Sequence, residues 1–164
     1  MGTQEEREDR LVIRRVIHAS REEVFAAWID PESMRHWMCP GGILTAETQL
    51  DPRIGGSFRI VMKGPGRSVE HTGEYRIIDP PSKLVFTWRS ARTNFEPTLV
   101  TVELLERGDG CELVLTHERL PGADAVASHK DGWTTIAARL AGHLRQAARE
   151  PRGSSAPASP ADGR

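Results

Sequence analysis

Six histidines, two cysteines and one tyrosine are the side chains through which this chain could do acid–base or nucleophilic chemistry near neutral pH. The histidines are His18, His36, His71, His117, His129 and His143. None forms an H-x-x-x-H pair with an acid, and no Cys/His quartet is present, so spacing indicates no metal site. His71 and His117 lie in strand-like segments, where an imidazole could serve as a general base. The plainer alternative for each is a partly buried histidine bonded to a neighbour. Cys39 stands between Trp37 and Pro40 with His36 close by in sequence. Adjacent positions on a helix point apart, so this is not a Cys–His pair by spacing. Cys111 starts a strand after a turn and reads as structural. Gly55-Gly56 and Gly64-Pro65-Gly66 read as hairpin turns, because neither Lys-Ser/Thr nor a helix start follows. Arg15 and Arg53 read as scaffold, held in ion pairs for which Glu47 and Glu74 are candidate partners.

The elements that must position these groups follow from periodicity. In Asp124–Glu150, the residues Trp133, Ile136, Ala137, Leu140, Ala141 and Leu144 recur at helical spacing and draw one apolar stripe. Asp124 is placed to cap this helix, and Pro151 with the glycine after it ends it. Gly132 weakens it by about 1 kcal/mol relative to alanine, which suggests close approach by another element. Upstream, Arg10–His18 is rich in β-branched residues and predicts a strand. Ser20 and Glu23 form a capping box for a short helix carrying Val24, Phe25 and Trp28. Asp30-Pro31 starts a second helix that buries Met34, Trp37 and Met38.

From Ile43 the period changes to two. Strands are predicted over Ile43–Leu50, Ser57–Lys63, Ser68–Ile78, around Leu84–Trp88, around Val100–Leu104 and around Leu113–His117. Short Gly/Pro/Asp turns join them, so the sheet is antiparallel. Within Ser68–Ile78, the residues His71, Gly73, Tyr75 and Ile77 are expected to share one face. A long helix after such strands buries its stripe by lying across the concave face of their sheet.

The 164 residues suffice for one domain with a real core, at 38% hydrophobic and 27% charged. Met1–Asp9 carries a net charge of −3 and Glu150–Arg164 is balanced, which leaves the body near +2 from an overall −1. No basic stripe with interleaved aromatics marks a nucleic-acid partner. No apolar run approaches the ~18 residues of a membrane span, and the acidic, polar N-terminus is no secretory signal. Cys39 and Cys111 read as buried free thiols of a reducing compartment, with a cytoplasmic location as the expectation. Residues 1–9 and the Ser/Pro/Ala/Gly-rich 150–164 are expected to be disordered tails around a domain of 10–149.

The segments R-V-I-H-A-S-R-E-E-V-F-A-A-W-I-D-P-E-S-M-R-H-W (Arg15–Trp37), R-I-G-G-S-F-R-I-V-M-K-G-P-G (Arg53–Gly66), H-T-G-E-Y-R-I-I-D-P-P-S-K-L-V-F-T-W (His71–Trp88) and L-V-L-T-H-E-R-L-P (Leu113–Pro121) stand in that order, followed by D-G-W. This series resembles the START-like helix-grip superfamily, also called SRPBCC, and within it the branch of homologues of the activator of heat shock protein 90 ATPase. The branch usually has W-W-x-P with glycine before the proline. Here Trp37–Pro40 reads W-M-C-P, which alters the expected lip of a pocket. The resemblance implies an α+β helix-grip fold. It has an antiparallel seven-stranded sheet wrapped around a long C-terminal helix, two short helices after the first strand, and a cavity between sheet and helix.

If the apolar faces turn inward, the cavity wall holds Phe58, Ile60, Met62, Tyr75, Phe86, Trp88, Val102, Leu115, Trp133, Ile136 and Leu140, with His71 and His117 as polar points. Gly73 would leave room among these large neighbours. Apolar walls with a few fixed polar groups suit a small hydrophobic or amphipathic ligand. The competing reading is that the same side chains simply fill the core. The leading expectation is therefore a ligand binder with no bound cofactor, no metal and no assigned catalytic residue. One alternative is a stress-response co-chaperone whose partner is a heat shock protein 90 type ATPase. The eukaryotic activators carry a further N-terminal domain that nine leading residues would not replace. The other alternative is a cyclase- or dehydratase-like enzyme using His71, Tyr75 or His117. No nucleic-acid or membrane partner is expected, and the chain reads as a monomer or a homodimer.

Overall fold

The computed structural model describes residues 9–149. Apart from Asp9, the tails expected at 1–9 and 150–164 lie outside the described residues. The chain begins with β1 (Leu11–Ile17), followed by α1 (Arg21–Trp28) and α2 (Pro31–Trp37). Ser20 caps α1 in the expected box: its side chain accepts from the Glu23 N–H while the Glu23 carboxylate accepts from the Ser20 N–H. Asp30 caps α2 by accepting from the Glu32 N–H, with Pro31 in the first turn. These two helices bury Val24, Phe25, Trp28, Met34 and Trp37.

Six strands follow: β2 (Thr45–Leu50), β3 (Ser57–Gly64), β4 (Arg67–Asp79), β5 (Lys83–Trp88), β6 (Thr98–Arg107) and β7 (Gly110–Glu118). They join β1 in one seven-stranded sheet of order β1-β7-β6-β5-β4-β3-β2, antiparallel throughout. The two helices between β1 and β2 carry the chain from one edge of the sheet to the other. The inner face of the sheet is the apolar side of the alternating strands. Leu113 and Leu115 of β7, Val100, Val102 and Leu104 of β6, and Leu84 and Phe86 of β5 are all buried there.

The last element is α3 (Ala123–Arg149). Trp133, Ile136, Ala137, Leu140 and Ala141 are buried along it, and His129, one turn before Trp133, extends the stripe. Trp133 is 2% and Leu140 0% exposed, so the helix docks with the face its periodicity selects. The fold is therefore the α+β helix-grip arrangement.

Local expectations are corrected at three places. Asp124 lies inside the first turn of α3 and is not its cap, because the helix starts at Ala123. Ile77 does not share a face with His71 and Tyr75. The register between β4 and β5 shifts between Tyr75 and Ile77, so Ile77 is exposed and Ile78 packs on the core instead. The surface ion pairs also differ from those expected: Arg53 pairs with Asp51, Glu47 with Lys63, and Glu74 with Arg76, while Arg15 is exposed.

Candidate ligand-binding site

Two different polar constructions sit between the sheet and α3. The first is closed. The Trp133 indole N–H donates to His117 Nδ1 at 2.9 Å. An indole nitrogen can only donate, so Nδ1 must be the unprotonated nitrogen. The proton of the neutral ring is then on Nε2, which lies 2.7 Å from Thr98 Oγ1. Thr98 in turn donates to the Trp88 carbonyl at 2.6 Å. Every polar atom in this chain has a partner, and His117 and Thr98 are 0% and 1% exposed. Burial, reinforced by the nearby His129, holds His117 well below the usual histidine range. Its only lone pair is already occupied by Trp133, so His117 is a structural strut with nothing left to accept a substrate proton.

The second construction is open. A cavity of about 420 Å³ lies between the β3–β4 region, the approach segment 40–43 and the first half of α3. Its apolar wall is Ile43, Met62, Val69, Trp88, Trp133 and Ile136. Trp88 and Trp133 stand 5.0 Å apart between ring centroids, and His71 lies 4.6 Å from Trp88. His71 and Trp88 are 6% and 2% exposed, yet His71 Nδ1 and Trp88 Nε1 have no hydrogen-bond partner among the described residues. Burial pushes His71 down to about 4, and the Arg92 and His129 side chains act in the same direction. Backbone groups of Ile60 and Val69 oppose this only in part. The imidazole is therefore neutral at physiological pH, one ring nitrogen carrying hydrogen and the other a lone pair.

The rim is more polar. Arg67, Arg92 and Asp131 are exposed side chains of the lining, and Arg92 donates to Ser128 Oγ at 2.9 Å. The lip at 40–43 is clipped to α3 by Arg139, whose guanidinium donates to the Cys39 carbonyl and, at 3.1 Å, to the Ile43 carbonyl. Pro40 of the lip is the close neighbour of Gly132, where an added Cβ would meet its ring at 3.6 Å, an ordinary contact. Cys39 beside the lip is buried, bonds weakly to the Arg35 carbonyl, and has its thiol pushed up by burial. Both cysteines are free and buried. Among the described residues, no group of three or more His, Cys, Asp or Glu is arranged to hold a metal ion. No helix among them is long and apolar enough to cross a membrane.

The residues expected to form one wall divide into three groups, with Gly73 apart. Met62, His71, Trp88, Trp133 and Ile136 meet around the open cavity. Phe58, Ile60, Tyr75 and Phe86 pack together, with Trp28, around a void of about 10 Å³. Such a void is at the lower limit for one water. Val102, Leu115, Leu140 and His117 are buried in the core away from the cavity lining. Gly73 does not leave room. Phe58 is its cross-strand partner, and a Cβ on Gly73 would meet the Phe58 ring at 2.5 Å and the Thr87 carbonyl at 2.0 Å. The glycine admits the ring and the neighbouring strand.

Several lining residues escape the sequence reading. Arg67 and Val69 share the period-two face of His71, and His129 is one helical turn before Trp133, so both extensions were available from spacing. The contribution of segment 40–43 had no such signal beyond the W-M-C-P departure, since it depends on how a loop lies over a distant helix.

Comparison with known proteins adds to this geometry. The family model described as "Activator of Hsp90 ATPase homolog 1-like protein" matches residues 18–145. No curated protein sequence matches the chain. Among solved structures, a Chromobacterium violaceum protein is similar at 23% identity with a TM-score of 0.72, covering 82% of this chain and 95% of its own. A Nitrosomonas europaea protein is similar at 20% identity and a TM-score of 0.74, covering 88% and 99%. A Rhodobacter sphaeroides protein reaches 28% identity and a TM-score of 0.72, covering 87% and 95%.

Proposed function

This chain belongs to the activator of Hsp90 ATPase homolog 1-like family, and from that premise we propose that it binds one small amphipathic molecule between its sheet and α3. The observation that carries the reading is the contrast between the two polar constructions. Around His117 the buried polar groups satisfy one another. Around the cavity, two nearly buried side chains, His71 and Trp88, keep polar atoms without partners among the described residues. An unmet buried donor or acceptor costs about 1–3 kcal/mol, a cost that this wall carries and the closed His117 chain does not. A space of this size, with Trp88 and Trp133 in its wall and charged groups at its rim, has the character of a small-molecule site. The same contrast weighs against acid–base catalysis by His117.

The test is direct. Purified protein is examined by native mass spectrometry for a retained small molecule, then titrated with the neutral fluorophore N-phenyl-1-naphthylamine. Saturable one-to-one binding is expected. It is expected to be abolished by Val69→Trp, which pushes a large ring from a half-buried wall position into the cavity without touching the His117 chain. Absence of both a retained mass and a saturable signal in the wild-type protein would refute the proposal.

A further inference from the structure

We propose that the molecule held in this cavity is an organic monoanion, a carboxylate on an apolar body, with its charged group at the Arg67 and Arg92 rim. This rests on the binding reading above and adds the charge of the ligand. Both arginines line the cavity. Arg67 has no ion-pair or hydrogen-bond partner among the described residues. Among the described residues, the Arg92 guanidinium is bonded only to the neutral Ser128 hydroxyl. The positive charge of Arg92 is felt inside the cavity, since it lowers both His71 and His129. Asp131 is the sole carboxylate of the lining and is not among the groups that act on either histidine. With the histidines neutral, the lining carries two positive charges and one negative, a surplus of one. A carboxylate supplies the matching single charge and planar acceptor geometry for a guanidinium. The aromatic pair Trp88 and Trp133 is left to cover the apolar body.

The experiment compares octanoate and decanoate with octanol and decanol by calorimetry at low ionic strength. The proteins are wild type, R67Q, R92Q and R67Q/R92Q, each checked by thermal melting. In wild type the acids should bind about tenfold more tightly than the alcohols, equivalent to about 1.4 kcal/mol. The acid-to-alcohol ratio should fall as salt rises, drop partway in each single variant, and approach one in the double variant. Equal affinity for acid and alcohol in wild type would overturn the charge assignment while leaving the cavity reading intact. So would a ratio unchanged in R67Q/R92Q. Failure of both acids and alcohols to bind the wild-type protein would instead strike the cavity reading, and this inference with it.

Discussion

His71 offers the sharpest quantitative test, because burial in the cavity wall holds it far below the ordinary histidine range. The folded protein holds it near 4 against an ordinary 6.5. Above pH 6.5 the ring is neutral in both folded and unfolded chains, so stability is unaffected. As pH falls from 6.5 towards 4, the unfolded chain takes up a proton that the folded one refuses, and stability declines. Integrating that difference gives a loss of about 2 kcal/mol at pH 5 and about 3.4 kcal/mol once pH is well below 4. Against a typical domain stability of about 5–15 kcal/mol this is large. His117 and His129 are also lowered by burial and act in the same direction. Their contribution is common to wild type and to His71→Gln, which replaces the imidazole by a polar group that does not titrate. The measurement is urea denaturation of both proteins at pH 8 and pH 5. Wild type should lose about 2 kcal/mol more than the variant across that interval. Equal losses, within about 0.5 kcal/mol, would show that His71 is not held neutral by burial. The ring resonances of His71, followed by NMR, should likewise move with a midpoint near 4 rather than 6.5.

Two further substitutions test the packing. Gly73→Ala places a methyl group against the Phe58 ring and the Thr87 carbonyl, and overpacking of this kind costs about 1–3 kcal/mol; an unchanged denaturation midpoint would mean that the space is open after all. Trp133→Ala empties a site that is 2% exposed and strands the Nδ1 of His117, with an expected loss of about 3–5 kcal/mol; a loss under about 1 kcal/mol in urea denaturation would contradict its place under the sheet.

Legibility in the sequence follows the range of the interaction that decides each feature. Trp133, Ile136 and Leu140 are placed by helical spacing alone, and the alternation of Val100, Val102 and Leu104 places their strand. Capping by Ser20 and Asp30 is equally local. Ile77 defeats the same logic because one bulge after Tyr75 reverses the faces, and nothing in the alternation marks it. Gly73 defeats it because a missing side chain is consistent both with a void and with a neighbour filling that void. Only the cross-strand register with Phe58 decides between them. The division of the expected wall into a packed half and an open half lies furthest from sequence, since it depends on where segment 40–43 meets α3.

That division bears on how one fold can hold different molecules. Beneath the cavity, the bonds from Trp133 to His117, Thr98 and the Trp88 carbonyl tie α3 to β7, β6 and β5. Changing any one member strands a buried partner, so this part resists substitution. At the mouth the reverse holds. Arg67, Arg92 and Asp131 are exposed, and Gly132 meets Pro40 only at ordinary contact distance, so each can change without leaving a buried group unpaired. The lip is held to the helix chiefly through backbone carbonyls bound by Arg139, which constrains its position but not its side chains. On the proposed binding reading, selectivity would therefore be set at the rim while the strut that fixes the aromatic walls stays intact.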